Sequence, residues 1–564
     1  MTPDALVLTI VFFAISILYI NLNPFAWIER YNEPSFIISQ ILRLGMGLLV
    51  SFVGYYLLLI AITPIVVIAY HGVCIAILQI IAYLVNLSTD NEANFDVLIC
   101  AISGIFLVAV ILIAIFQVPV TCNASYDFVK DYAEETDNLI IVSTSDMNIV
   151  TQKTANRDVK LSLSNFDNTS RYTTGGLYKQ EINGNKLWVS PVEYSDFFRA
   201  LGSDKFLPGY VTVDVSTNKE ISTVNDMQMV YAPSAIFQND LYRHIHFEHP
   251  DVLLYEAAFE LDNEGNAFWV VPYGHYHFLC YFEVVDGVFI VNPTTGEISK
   301  YEIENVPNWV NTVIPASIAD MYCNVYGENS LGFLAKFFTP STQFTLTRWM
   351  WEGSGDDAWS IVFDENGQMW YCSDTTRYAG SERTMVGYIM MSAKTGQIKY
   401  NPDIKGINGN GICQNFKQPY KEKTGWVLAE PTLYVIDNIP TWFSVIVDEN
   451  GEIQMYCFGT LEGDIATDTN FAKALSQYRT LINSEGSTIV DTDLLQISGT
   501  IFRTNVVGET TYIIIDGNKN LVISVPDYIS KLAKMTRDGD YVDIKYSLFE
   551  GSEAVASSFE VVMK

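Results

Sequence analysis

The first 120 residues contain apolar runs that only a few environments can accept. Residues 5–24, 41–61, 65–85 and 97–118 are apolar, and only Arg30 and Arg43 in this block are basic. A helix needs about 20 apolar residues to cross a bilayer. It must also satisfy its own backbone groups there, because no water does so. Four spans are expected, with the second and third divided at Pro64. The alternative is three, with 41–85 forming one helix kinked at Pro64 and continued into an interfacial piece. A cleaved signal peptide does not fit, since no basic region precedes the first run and further spans follow at once. Both arginines lie in or beside the 25–42 loop, which the positive-inside rule places in the cytoplasm. With four spans, everything after residue 119 is then extracytoplasmic; with three, the large remainder is reversed. The acidic loop Asp90–Asp96 adds little to this choice. His71 is the exceptional ionisable residue within the spans and reads either as functional or as interfacial. Gly45, Gly47 and Gly54 allow close helix contact. The spans thus read as an anchor or a packing surface.

A length of 564 residues implies several domains. The mean hydropathy of +0.17 is high for a soluble protein, but the excess sits in the first 120 residues. Beyond them stand 58 acidic and 31 basic residues, a net charge of −27, with only six acids and two bases before. Such a surface disfavours nucleic acid and anionic lipid; it keeps a domain soluble or attracts basic partners. Residues 121–137 read as a polar linker leaving the bilayer. Asn138–Leu163 and Gly175–Pro191 read as strands. Asn123 and Asn168 begin formal glycosylation sequons.

A hairpin pattern then recurs. Gly287 to Tyr301, GVFIVNPTTGEISKY, is two β-forming segments around a turn in which Gly296 supplies a positive φ. It returns at Gly387–Tyr400 and, with Asn218 in place of the glycine, at Gly209–Ile221. Upstream partners begin at Ile182, Phe259, Trp359 and Phe443, the last three sharing an acidic turn before a glycine. Recurrence at this spacing indicates duplication. The copies run over about 180–250, 255–330 and 355–432, and a fourth from Thr441 lacks a clear second hairpin. Helices are expected at Val192–Leu201, Asn305–Met321 and Asp468–Ile482. Trp188, Trp269, Trp359 and Trp442 recur in or near the upstream strands, suggesting core or inter-repeat packing.

The turns VNPTTGEI at Val291–Ile298 and SAKTGQI at Ser392–Ile398 resemble those of the PepSY family. The resemblance implies tandem small α+β domains over about 180–480, usually extracytoplasmic, that bind proteins or inhibit peptidases. It carries no catalytic residue. Near the C-terminus, five strand-like segments around a short helix at Pro526–Met535 resemble an OB-like barrel. Its few clustered bases favour a capping or protein-binding role over nucleic acid. The expected fold is an α-helical transmembrane bundle followed by α+β, with tandem PepSY-like repeats and a small C-terminal β-barrel. The expected domains are a four-helix transmembrane block (1–120), linker and first strands (121–179), repeats at 180–254, 255–340 and 341–435, a partial repeat at 436–485, and the barrel (486–564).

Chemistry-bearing residues are few. The cysteines beyond the membrane block, Cys122, Cys280, Cys323, Cys372, Cys413 and Cys457, form no CxxC, and fifteen pairings are open to them. Five of six histidines cluster in sequence. His244 with His246, and His275 with His277, would each share one face of a strand. Together they could hold zinc or copper, with Glu248 or Glu256 adding an oxygen, or sense pH. The other reading is half-exposed strand residues among Tyr242, Tyr273 and Tyr276. No HExxH, nucleophile elbow, Walker A loop or dinucleotide fingerprint occurs. The reading that follows is a multi-pass cell-membrane protein with its large C-terminal region outside the cytoplasm. It binds or scaffolds a membrane or envelope protein, or associates with itself, without nucleic acid and with no cofactor unless the histidines take zinc or copper. The alternatives are a membrane-tethered envelope hydrolase and a metal-binding accessory protein.

Overall fold

The computed structural model describes residues 3–21, 24–87, 94–139, 147–202, 206–215, 221–277, 282–338, 343–348, 359–378, 383–484, 495–507, 510–519, 521–526, 530–549 and 553–562. Cys280, Asn218 and part of the acidic 90–96 loop lie outside them.

The N-terminal block is helical. Pro34–Leu57, Pro64–Leu84 and Val97–Phe116 are long and apolar enough to cross a membrane. A fourth span results if the pair Pro3–Tyr19 and Pro24–Arg30, bent by 63°, counts as one. The chain is a multi-pass membrane protein. Close packing inside the block depends on two of the three glycines: a Cβ at Gly47 would strike Tyr19 and Ser16, and one at Gly54 would strike Tyr70. At Gly45 the space is open. His71 is buried in this packing, with Nδ1 3.1 Å from the Tyr19 hydroxyl.

The polar linker expected after residue 120 is instead the end of a helix, Asn94–Val129. The apolar span ends at Phe116, and the helix continues through the polar residues that follow. Cys122, Ser125 and Val129 are buried, and their spacing of three and four residues places them on one stripe. That stripe meets the helix Ala316–Glu328. The chain then enters a sheet directly, since Ala133–Glu135 pairs in parallel with Ile398–Asn401.

Four mainly antiparallel sheets follow, and we number them in chain order. Sheet 1 lies within 172–224, sheet 2 within 253–302, sheet 3 within 344–401 together with Ala133–Glu135, and sheet 4 within 427–468. In each, one long strand is central: Asn185–Tyr194, Ala267–His277, Met369–Arg377 and Ile439–Val447. It pairs with the strand before it, with a short extra strand, and with the strand after it, which in turn pairs with the last.

Helices separate the sheets. Leu241–Glu248 inserts Leu241 and Ile245 between Val189 and Tyr210 of sheet 1 and Phe259 and Trp269 of sheet 2. Ala316–Glu328 packs Ile318 and Tyr322 between Val288 of sheet 2 and Ile389 of sheet 3. Gly409–Lys417 packs Ile412 and Phe416 between Tyr388 of sheet 3 and Phe458 of sheet 4. The inner sheets are therefore covered on both faces, so their strands read as continuous apolar runs rather than alternating ones. Within Ala267–His277, Trp269 and Val271 face one core and Val270 the other. Burying each such side chain stabilises the fold by about 1.5–3 kcal/mol.

Local chemistry sets the turns. Asp262, Asp364 and Asp448 each accept, through Oδ1, the N–H groups two and four residues on, at 2.8–2.9 Å. Gly265, Gly367 and Gly451 complete these turns with φ between +75° and +85°, a region that suits glycine. In sheet 4 this turn joins the second and third long strands, so Phe443 does not begin that sheet's first hairpin. The first hairpin turns at Asp437 and Asn438, both at positive φ. The last turn uses Thr460, whose Oγ1 accepts the Asp464 N–H. Sheet 4 therefore has its full strand set, including a second hairpin between Ile453–Gly459 and Ile465–Asp468 whose turn lacks the pattern of the other copies.

Several expected elements moved. Gln152–Ser162 is a helix, with Thr151 Oγ1 accepting the Thr154 N–H as its cap and Ala155 and Val159 on the buried face. Within Val192–Leu201 only Phe197–Leu201 is helical, and the later helix begins at Ala316, after Pro315. Phe471–Ser484 agrees with expectation. The final strands, Leu495–Val507, Thr510–Ile515, Val522–Pro526, Tyr541–Phe549 and Glu553–Val561, curl around one core and pair in a ring. Its thinnest seam is parallel, three residue pairs between Val522–Pro526 and Glu553–Val561.

Candidate functional site

All four sheets and the segments beside them wall one cavity of about 380 Å³. Sheet 1 and its helix contribute Thr151, Tyr178, Lys179 and Trp188; the sheet 2 region adds Glu256; the sheet 3 region adds Trp359 and Tyr371; the sheet 4 region adds Glu430. Their approach is direct. The Asn148 N–H donates to the Tyr434 hydroxyl at 3.2 Å, joining sheet 1's leading segment to sheet 4. Asn183 Nδ2 donates to the Asn263 carbonyl at 2.9 Å, joining the turns of sheets 1 and 2.

Equivalent aromatic side chains tie each sheet to the segment before its helix. Trp188 Nε1 donates to Val150 O, Trp269 Nε1 to Tyr231 O and Trp442 Nε1 to Ile407 O, at 2.9–3.0 Å. In sheet 3 the Tyr371 hydroxyl donates to Ile314 O at 3.0 Å instead. Three of the four expected tryptophans thus have a structural bond. Trp359 differs: it lies on the cavity wall with a buried Nε1 lacking a partner.

Lys179 is the cavity's buried cation. Its Nζ donates to Ile361 O at 3.3 Å and lies 4.6 Å from the centre of the Trp188 ring. Burial brings its pKa down to about 8, partly offset by the Glu430 charge. An ammonium here loses water without gaining a close carboxylate bond. With Trp359 Nε1 it offers donors to an acceptor group inside a largely apolar space. Glu260, also fully buried, is a structural group: Oε2 and Oε1 accept the N–H groups of Asn311 and Thr312 at 2.7 and 2.9 Å. Burial raises its pKa against those bonds.

The histidines lie elsewhere, near where the array meets the membrane block. His244 and His246 are on the helix Leu241–Glu248, capped by Asp240 Oδ1 on the Arg243 N–H, and not on a strand. Two residues on a helix turn through roughly 200°, so the pair points to different sides. His244 Nε2 is 2.7 Å from Gly296 O. His246 is fully buried, 5.1 Å from the Tyr55 ring, with neither ring nitrogen bonded. His275 and His277 do lie on one strand. His275 Nδ1 meets Asp286 Oδ2 at 2.8 Å, and the His277 ring is 5.6 Å from Phe128. Among the described residues no three of His, Cys, Asp and Glu are grouped to hold a metal. Cys122 is buried, and Cys323, Cys372, Cys413 and Cys457 are buried thiols outside any disulfide.

No family model matches this chain, and no curated protein matches it significantly.

Proposed function

We propose that the chain is a membrane-anchored binding or scaffold protein, displaying its acidic α+β array outside the cytoplasm. One observation carries this reading: consecutive sheets share cores through the helices between them and close around a common cavity. Such an array presents a continuous rigid surface, as stacked units do when they bind proteins. The recurring strand order, the Asp-to-Gly turns that close the same hairpin in sheets 2 and 3, and the four aromatic bonds support descent from one PepSY-like unit. The pairing ring of the last five strands supports an OB-like cap, and its modest basic content favours protein over nucleic acid as its contact.

Crosslinking in native membranes, followed by identification of what co-purifies, tests the reading. Stoichiometric recovery of one protein partner, or of a second copy, is expected. Recovery of the chain alone, turning over an envelope polymer until one carboxylate or histidine is changed, would replace this reading with a tethered hydrolase.

A further inference from the structure

Two clusters of exposed large apolar side chains stand on the α+β region. One comprises Phe197, Phe198, Leu201 and Phe237, exposed by 46–79%. Phe197 contacts Phe198 and Phe237 ring to ring, at 5.7 and 6.4 Å. The other comprises Leu331, Leu334 and Phe338, exposed by 57–79%. Among the described residues neither is covered by packing, and clustered apolar surface of this kind marks an interaction site.

Each cluster is fixed to a point where a span leaves the bilayer. Arg243 bridges the first: Nη1 donates to Phe237 O at 2.8 Å and Nε to Tyr56 O at 3.1 Å. Tyr56 lies in the final turn of the span Pro34–Leu57. The second follows the helix Ala316–Glu328 along the extension of the last span. Asn329 Nδ2 donates to Ser125 Oγ at 3.5 Å, and a Cβ at Gly332 would stand 3.1 Å from Asn123 Oδ1. Asn123 is seven residues beyond Phe116, the end of that span, or about 10 Å along a helix. The headgroup layer is about 5–7.5 Å thick on each side of the hydrocarbon core, so Asn123 stands just beyond its outer edge. From Asn329 beside Ser125 to Gly332 beside Asn123 the chain runs back toward the span, and it carries Leu334 and Phe338 on from there. Both clusters attach to the same face of the block. Between span and array lies an apolar groove of about 630 Å³, lined by Leu58, Leu59, Val66, Leu253 and Leu254.

We infer that these clusters are two feet that insert into the lipid interface of the protein's own bilayer. The occupant follows from continuity with the spans: side chains held at headgroup height beside a transmembrane helix meet lipid first. Phenylalanine and leucine suit the headgroup–acyl boundary. With one foot beside each attachment, the array is held at a fixed tilt and its cavity at a fixed height. The inference does not depend on the identity of any partner.

Site-directed spin labelling tests it on the purified full chain in phosphatidylcholine liposomes. Labels are placed at Phe198→Cys and Phe338→Cys, with Met535→Cys on the barrel for comparison. The signal of the labelled wild-type chain is subtracted, and unchanged melting confirms the fold. Lipid insertion predicts that dissolved oxygen relaxes labels 198 and 338 several-fold more effectively than a water-soluble nickel chelate. Nickel access exceeding oxygen access at both positions would place the clusters in water and overturn the inference. Low access to both reagents would mean that protein covers them, as in self-association, and would also overturn it. A lipid signature at one position alone would overturn the two-footed arrangement.

Discussion

The helix Asn94–Val129 enters the α+β region without a break, whereas the turn at 58–63 meets it through one short helix and a loop. At the first attachment, Phe128 lies 5.6–5.9 Å from the rings of His277, Phe282 and Tyr322, and Val129 is buried in the core shared by sheets 2 and 3. At the second, the Ile62 N–H donates to Pro250 O at 2.6 Å, Tyr55 stacks on Phe247, and Arg243 reaches Tyr56. Leu59, at φ +49°, lies in the left-handed region that leucine rarely adopts. One attachment is an apolar core traversed by the chain. The other is a polar and aromatic contact closed against a broken span. A core of the first kind fails only when its packing fails, while a contact of the second kind can open by itself.

The largest expected effect is at the continuous attachment. Val129→Asp places a carboxylate in a space with no solvent and should destabilise the array by roughly 4 kcal/mol. Thermal melting and limited proteolysis of the detergent-solubilised chain would show it as lost cooperativity in sheets 2 and 3. A normal melt would mean that the helix end is not part of that core.

The next effect separates the two attachments by pH. Burial lowers the His246 pKa to about 4, with Asp251 opposing weakly. When the contact opens, the imidazole regains its ordinary value near 6.5. The open form therefore binds a proton across the window from about 6.5 down to 4, and the closed form does not. Closure is fully favoured above that window and loses up to about 3 kcal/mol as pH falls through it. Relative to the intrinsic rate of amide exchange, which itself slows in acid, protection over 241–250 should fall on acidification, while protection over 122–135 should respond less. His246→Leu combined with His249→Leu, whose ring burial also holds below its ordinary pKa, should remove the acid response of 241–250. A response that survives this change would place the titrating group elsewhere.

How much of this was legible in sequence depended on how local the cause was. The Asp-to-Gly and Asn/Ser-to-Gly turns are decided within six residues, so the hairpins could be read. The helix Leu241–Glu248 could not be read from two histidines at alternate positions, although Asp240 before Arg243 was an available capping signal. The break in composition at Thr121 follows the end of the apolar span and does not mark the end of the helix, which runs on to Val129. The cavity was illegible because its wall is gathered from residues between Thr151 and Val447, a juxtaposition that no local pattern encodes. The attachments, likewise, brought the histidines into view but not into one site.

The smallest expected effect sharpens the comparison most. Arg243 makes one hydrogen bond to Tyr56 O, one to Phe237 O, and stacks 4.4 Å over the Tyr56 ring. A charged donor is worth about 1.5–3 kcal/mol to a buried acceptor, and less where water competes. A partly exposed cation–π contact adds about 0.5–1 kcal/mol. Some of both is regained by water when the side chain is cut back, so Arg243→Ala should weaken the contact by about 1–2 kcal/mol. Sheet cores do not use this guanidinium, and global melting should hardly move. Exchange over 241–250 should instead rise by about ten-fold, the equivalent of 1.4 kcal/mol in an opening equilibrium. Arg243→Lys keeps the charge but cannot reach both carbonyls in one planar fork, and should recover only part of the loss. If Arg243→Ala lowers the global melt as Val129→Asp does, the two attachments are one cooperative unit and the contrast between them fails.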